Sequence, residues 1–312
     1  MSQDCNYHQS VMPSEVIEAL AVKPTGFYVD CTLGGGGHSS LILSQLQEGG
    51  RLLSLDRDLN AIAYASQVLV KVDSKGEYQV VHAEFADLKQ VIKSQQLPLI
   101  DGILIDLGVS SEQLDNAERG FSYRFDGPLD MRMNNQQALD CSRVVNTYSE
   151  NELVRILKDY GEEKFASRIA KRIVQSRPLR TTGELVAAVE KAMPAKSRRE
   201  KHPAKRTFQA LRIEVNGELK QLETLLASLP GLMNKGGRVV FLTFHSLEDR
   251  LVKHCFRKWE DPCICPKHLP CACGLKPLGK SIYRKGLTAE QTELANNRRS
   301  HSARLRAFVF ED

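Results

Sequence analysis

Four consecutive glycines, Gly34–Gly37, sit between the run Phe27-Tyr28-Val29-Asp30 and the segment Ser39–Leu46, where Leu41, Ile42 and Leu46 recur on one side of a helix. A β-preferring run ended by an acid, a glycine turn and a helix make a βα unit. Glycine there lets backbone approach a ligand and take positive φ without steric cost, and the helix N-terminus offers N–H groups to it. The stretch therefore predicts a site for a nucleotide-like cofactor. A tight turn that merely packs against its helix is the competing structural reading.

The dinucleotide fingerprint G-x-G-x-x-G fails here, because Ser39 and Ser40 stand where its third glycine belongs. What fits instead is Asp30-x-x-x-Gly34-x-Gly36, which resembles motif I of S-adenosylmethionine-dependent methyltransferases, with the acid in reach of the cofactor's ammonium group. A second strand, Arg51 to Asp58, brings Asp56 to about 20 residues past the turn, where nucleotide-binding α/β folds set a carboxylate against ribose hydroxyls. Asn60–Val70 reads as a helix and Tyr78–Phe85 as a third strand, with Phe85 available to stack on an adenine or to pack in the core. A fourth strand, Ile100–Gly108, carries Asp106 at its end. The repeated βα pattern predicts a doubly wound parallel sheet whose ligands bind outside the carboxyl ends of the strands, where Asp30, Asp56, Phe85 and Asp106 all fall.

The sheet pattern then stops for about a hundred residues. A loop from Arg119 to Met133 is dense in glycine, arginine and aromatics, and helices are expected over 150–160, 162–175 and 182–193, with Ser149-x-x-Glu152 and Thr181-x-x-Glu184 as start signals. The expectation is a helical domain inserted into the α/β domain. Between Lys191 and Arg212 lie Lys191, Lys196, Arg198, Arg199, Lys201, Lys205, Arg206 and Arg212 against the single acid Glu200. The net charge is only +5, so the run stands out from a nearly balanced chain, although such runs often form a solvated face. With Arg119, Arg124, Arg132, Phe121, Tyr123 and Phe125 beside it, the composition suits single-stranded or loop RNA: cations for phosphates, planar groups for unpaired bases.

Alternation resumes with a helix over 218–228, a turn at Gly236-Gly237 and a strand over 238–244. His245, between that strand and the next helix, is a candidate substrate contact, and Ser246 with Asp249 reads as the helix cap. Arg304–Phe310 is expected as an antiparallel strand at the far edge. Pro13–Leu20 is a short amphipathic helix preceded by His8, which is placed either toward the cofactor cleft or in solvent. No secretory leader or membrane-length apolar run is present, so a cytoplasmic protein without membrane contact is expected, its eight cysteines thiols or metal ligands rather than disulfides. Cys263, Cys265, Cys271 and Cys273 form two C-x-C pairs able to close a structural zinc site; reduced loop thiols are the alternative.

Taken together, the stretches Asp30–Ser39, Asp101–Gln113, Glu118–Met133, Lys201–Asn216 and Phe244–Arg250 resemble the bacterial 16S ribosomal RNA cytosine-N4 methyltransferases, the MraW family, from about His8 to Phe310. The resemblance implies a Rossmann-like class I methyltransferase fold with an inserted all-helical domain, and the points where the sheet pattern stops and resumes set the expected divisions at 1–112, 113–212 and 213–312. It implies S-adenosylmethionine at Gly36, Gly37, His38, Asp56, Phe85, Asp106 and Gln113, and as substrate a cytidine in the decoding region of the small ribosomal subunit. The cysteine cluster departs from many members. A cytosine amine is a poor nucleophile, so an acceptor for its N–H is required. The acid-Pro-Pro-aromatic motif common among exocyclic-amine enzymes is replaced by Asp106-Leu107-Gly108-Val109-Ser110-Ser111, leaving a carbonyl of the Asp106–Val109 loop, Ser110 or His245 as acceptor. Arg119, Phe121, Arg124, Arg198, Arg199, Lys205 and Arg206 are the expected RNA contacts, the loop from Arg119 to Phe125 holding an unstacked base. Two readings from other classes remain beside this one: a nicotinamide oxidoreductase, which would share Asp56, and a noncatalytic RNA-binding assembly protein.

Overall fold

The computed structural model describes residues 10–194, 202–266, 268 and 270–311. It divides into two compact units, Met1–Gly108 with Lys220–Asp312, and Val109–Leu219. The first is built on a seven-stranded sheet of β1 (Phe27–Asp30), β2 (Arg51–Asp56), β3 (Glu77–His82), β4 (Ile100–Asp106), β5 (Met233–Thr243), β6 (Gly279–Ser281) and β7 (Arg304–Phe310), in the order β3-β2-β1-β4-β5-β7-β6. Strands β1 to β5 are parallel, while β7 runs antiparallel to β5 and β6 antiparallel to β7. This is the expected Rossmann-like class, with one correction at its margin. The far edge is β6, three residues that acquire strand geometry only by pairing with β7. Strand β5 also starts earlier than expected and runs through the Gly236-Gly237 pair.

Alternation within the strands decides which side each residue covers. Phe27, Val29, Leu53, Leu55, Ile103, Ile105, Val239 and Phe241 pack on one face with α4 (Leu88–Ser94), α11 (Glu218–Ser228) and α12 (Ser246–Glu260). On the other, Tyr28, Leu52, Leu104, Val240 and Leu242 meet α1 (Pro13–Leu20), α2 (Gly37–Gln45) and α3 (Leu59–Leu69). Both faces are covered, which is why these strands read as unbroken apolar runs. Strand order reverses at β1, with β2 on one side and β4 on the other, so the crevice expected to take a ligand opens at the ends of β1 and β4.

The second unit holds α5 (Ser111–Asp115), α6 (Cys141–Thr147), α7 (Glu150–Asp159), α8 (Ala166–Gln175), α9 (Thr182–Ala192) and α10 (Lys205–Asn216) around its own apolar core. Ser149 with Glu152 and Thr181 with Glu184 form complete capping boxes at the expected helix starts. Asn216 fixes the long loop to α10: its Oδ1 accepts from Met133 N at 2.8 Å and its Nδ2 donates to the Met131 carbonyl at 2.8 Å. No helix among the described residues is long and apolar enough to cross a membrane.

Candidate active site

The turn after β1 is fastened by carboxylates from two strands. Asp56, at the end of β2, accepts from Gly34 N at 2.8 Å through Oδ2 and from Asp58 N at 2.9 Å through Oδ1. Each oxygen keeps a second acceptor position, so the group can still receive hydroxyls. Gly34 and Gly36 take positive φ, and a Cβ on Gly36 would lie 3.1 Å from the Cβ of Ala65 on α3. Gly36 is thus required by helix packing as well as by the turn. It is also the N-cap of α2 and supplies no side-chain cap to the N-terminus that Gly37 and His38 begin.

Asp30 behaves differently from the expectation that it reaches an ammonium group. It is fully buried, with Oδ1 accepting from Thr32 N at 3.0 Å and Oδ2 from the Ser39 hydroxyl at 2.6 Å, and Ser39 in turn lies 2.8 Å from the Ser54 hydroxyl. Burial pushes its carboxyl up to about 6 against these hydrogen bonds. Its work is to tie β1, β2 and α2 together.

Asp106 ends β4, and its backbone N–H donates to Thr32 Oγ1 at 2.7 Å. Its Oδ2 stands 3.7 Å from His38 Nε2, and Oδ1 is buried without a hydrogen-bond partner among the described residues. Burial, then the charges of Asp30 and Glu248, hold this carboxyl well above the usual range. A buried acceptor without a donor is costly unless a ligand supplies one. Burial likewise raises Asp56. Phe85, just past β3, is packed in the core.

His245 is the N-cap of α12, one residue before the cap expected at Ser246. Its Nδ1 faces Glu248 N at 3.5 Å and its Nε2 lies 3.0 Å from Glu248 Oε1, while Glu248 Oε2 accepts from Phe244 N at 2.8 Å. Both ring nitrogens therefore face Glu248. Asp249, the other half of the expected cap, pairs with Arg306 at 2.6 and 3.0 Å.

Ser110 and Gln113 belong to the helical unit, where they cap α5 reciprocally: Ser110 Oγ accepts from Gln113 N, and Gln113 Oε1 from Ser110 N. Arg119 is buried, donating to Glu112 at 2.9 Å and to the Arg132 carbonyl at 3.2 Å, with its guanidinium 5.9 Å from the centroid of the buried Phe121. Such burial turns Arg119 and Phe121 from RNA contact toward holding the loop in shape. Arg124, Phe125, Lys205 and Arg206 are exposed. Tyr123 stacks on His202 with ring centroids 4.2 Å apart and meets Phe208 of α10 edge-on, so the loop and the start of α10 share one face. Arg198 and Arg199 lie outside the described residues. What spacing alone did not reveal is the role of Thr32, Ser39 and Ser54, whose hydroxyls meet the acids only through the fold.

The remaining cluster is in the first unit, where the sulfurs of Cys263, Cys265, Cys271 and Cys273 all lie within 4.8 Å of one another. Backbone N–H groups of Leu275 and Ile264 draw the Cys273 thiol down to about 6.

The family model described as the MraW methylase family matches residues 6–311. A protein called ribosomal RNA small subunit methyltransferase H from Carboxydothermus hydrogenoformans is 50% identical over 304 residues, 96% of each chain. Its namesake from Clostridium botulinum is 49% identical over 303 residues, covering 96% of this chain and 97% of the relative. Among solved structures, an rRNA methylase from Streptococcus thermophilus aligns with a TM-score of 0.41 and 9% identity, over 96% of this chain and 95% of that one. So low a likeness adds nothing to the strand order itself.

Proposed function

The chain belongs to the MraW methylase family, and from that membership we propose that it methylates the exocyclic N4 of a cytidine in the decoding region of 16S rRNA, using S-adenosylmethionine. Family membership sets aside the oxidoreductase and the noncatalytic assembly protein. The observation that carries the cofactor reading is the buried Asp106 Oδ1, an acceptor for which the described residues supply no donor, at the glycine turn's edge of the sheet.

The residues present fit the cofactor. Asp56 has acceptor capacity for a ribose diol, Asp106 accepts an N–H, and the turn at Gly34–Gly36 with the uncapped start of α2 admits close backbone approach. When bound, S-adenosylmethionine supplies a methyl group on a positively charged sulfur, and its thioether leaves without needing an acid. The protein's task is then to hold the cytosine amine in line and to accept a hydrogen bond from its N–H, the proton of the methylated amine passing to water. Positioning can supply much of the barrier reduction. Because Ser110 and His245 both serve helix caps, we assign the acceptor for the amine's N–H to a backbone carbonyl of the Asp106–Val109 loop. Arg124, Lys205 and Arg206 are assigned to phosphates, with exposed Phe125 as the stacking surface. Arg198 and Arg199 join them on charge alone.

The test is transfer of labelled methyl from S-adenosylmethionine to small ribosomal subunits lacking the modification, with nucleoside mass spectrometry of the product. N4-methylcytidine is the expected product. A different methylated nucleoside would overturn the base assignment and leave the cofactor assignment standing.

A further inference from the structure

We propose that Cys263, Cys265, Cys271 and Cys273 bind one zinc ion, and that this ion folds the segment between α12 and β6. The first support is geometric. Zinc–thiolate bonds of about 2.3 Å directed to the corners of a tetrahedron separate the sulfurs by about 3.8 Å. Here Cys263 and Cys271 are 3.6 Å apart, Cys271 and Cys273 3.6 Å, and Cys263 and Cys273 3.8 Å. Such distances are far longer than a disulfide bond of about 2.05 Å. They are also too short for a four-iron cluster, which seats each thiolate on a different iron atom. Cys265 closes the set and accepts Ala272 N–H at 3.3 Å, an N–H···S contact of the kind that stabilises a thiolate.

A second, independent observation concerns what else holds the segment. No described residue from Asp261 to Leu278 is buried, and none belongs to a helix or strand. Its ends are nevertheless fixed: Leu278 N donates to the Trp259 carbonyl at 2.8 Å, and Trp259 sits in the aromatic cluster with Phe256, Phe308 and Phe310. A loop beyond ~12–15 residues without secondary structure of its own is uncommon in a compact domain, and this one has no buried described side chain to order it. Four converging thiols are the only such device among its described residues, and zinc is the redox-inert ion that a tetrahedral all-sulfur set selects. With four protein ligands the ion has no open position, so the site is structural and takes no part in methyl transfer.

Elemental analysis of the full chain purified from zinc-replete culture should find one zinc per chain. Titrating the metal-free, reduced full chain with Co2+ should give thiolate-to-cobalt charge-transfer bands and tetrahedral d–d absorption, both bleached by one equivalent of Zn2+. Cys271→Ser with Cys273→Ser should lose the metal and gain protease cleavage between residues 261 and 277 while keeping its far-UV circular dichroism. The cobalt titration uses the unaltered chain, so a poorly folding variant does not decide the matter. Absence of cobalt bands, iron in place of zinc, or two disulfides in protein kept under reductant would each overturn the assignment.

Discussion

At the scale of single residues, the acids at the sheet edge look alike in sequence and differ in employment. Asp106 keeps an unpartnered oxygen and a raised carboxyl, so its charge burdens the ligand-free fold and serves only a ligand. Asp106→Asn should therefore leave the ligand-free melting temperature unchanged or higher while weakening S-adenosylmethionine binding by about 10- to 100-fold, the worth of a hydrogen bond to a charged group, as read by calorimetry. Cofactor affinity of the unaltered protein should fall as pH drops through the raised value of Asp106. Asp30 gives the complementary case. Its carboxyl is raised to about 6, so the folded state holds the proton more tightly than the unfolded chain. The resulting stability is fully present below the ordinary value of 3.8 and is lost as pH rises through about 6. Asp30→Asn, keeping the shape and no charge, should flatten that decline by up to about 3 kcal/mol in denaturant titrations across this window. His245→Asn tests the third employment: asparagine caps a helix well, so stability and turnover should both persist. A loss of 100-fold or more in turnover with cofactor and RNA binding intact would restore His245 as proton acceptor.

At the scale of elements, the glycine turn separates strain from contact. Ala at Gly36 meets positive φ and a neighbour in α3 that is partly backbone, with Ala65 Cβ at 3.1 Å and Cα at 3.4 Å. At Gly34 only the conformational cost applies, since the nearest atom is 3.8 Å away, and at Gly37 the clash is with the Ser10 hydroxyl, which can rotate aside. Thermal unfolding should therefore rank Gly36→Ala as most damaging, at roughly 1–3 kcal/mol, then Gly34→Ala, with Gly37→Ala least. This turn was legible in sequence because its chemistry is local, and so were the Ser149 and Thr181 capping boxes. Helix α10 was hidden beneath its own charges: Phe208, Leu211 and Val215 give it a buried stripe, yet Lys205, Arg206 and Arg212 dominate the reading. Strand β6 carried no signal, because a three-residue strand exists only through its partner. The engagement of Asp30 with Ser39 and Ser54 was equally invisible, since Ser54 comes from the neighbouring strand.

At the scale of the whole molecule, a net charge of +5 conceals a division of labour. The strand ends of the first unit present carboxylates, which repel phosphate; the exposed cations Arg124, Lys205 and Arg206 belong to the second. On the proposed assignment, RNA affinity comes from the helical unit and cofactor affinity from the sheet. Arg124→Ala combined with Lys205→Ala should weaken binding of small-subunit RNA and reduce the slope of log K against log salt by about 0.7 for each lost contact to an unpaired strand. S-adenosylmethionine affinity should stay within twofold of the unaltered protein, because neither residue belongs to the unit that holds Asp56 and Asp106. The converse variant, Asp106→Asn, should leave that salt slope unchanged. A slope that stays the same in the double variant would move RNA recognition away from Arg124 and Lys205, whereas equal loss of both affinities would mean that the two units depend on each other for folding.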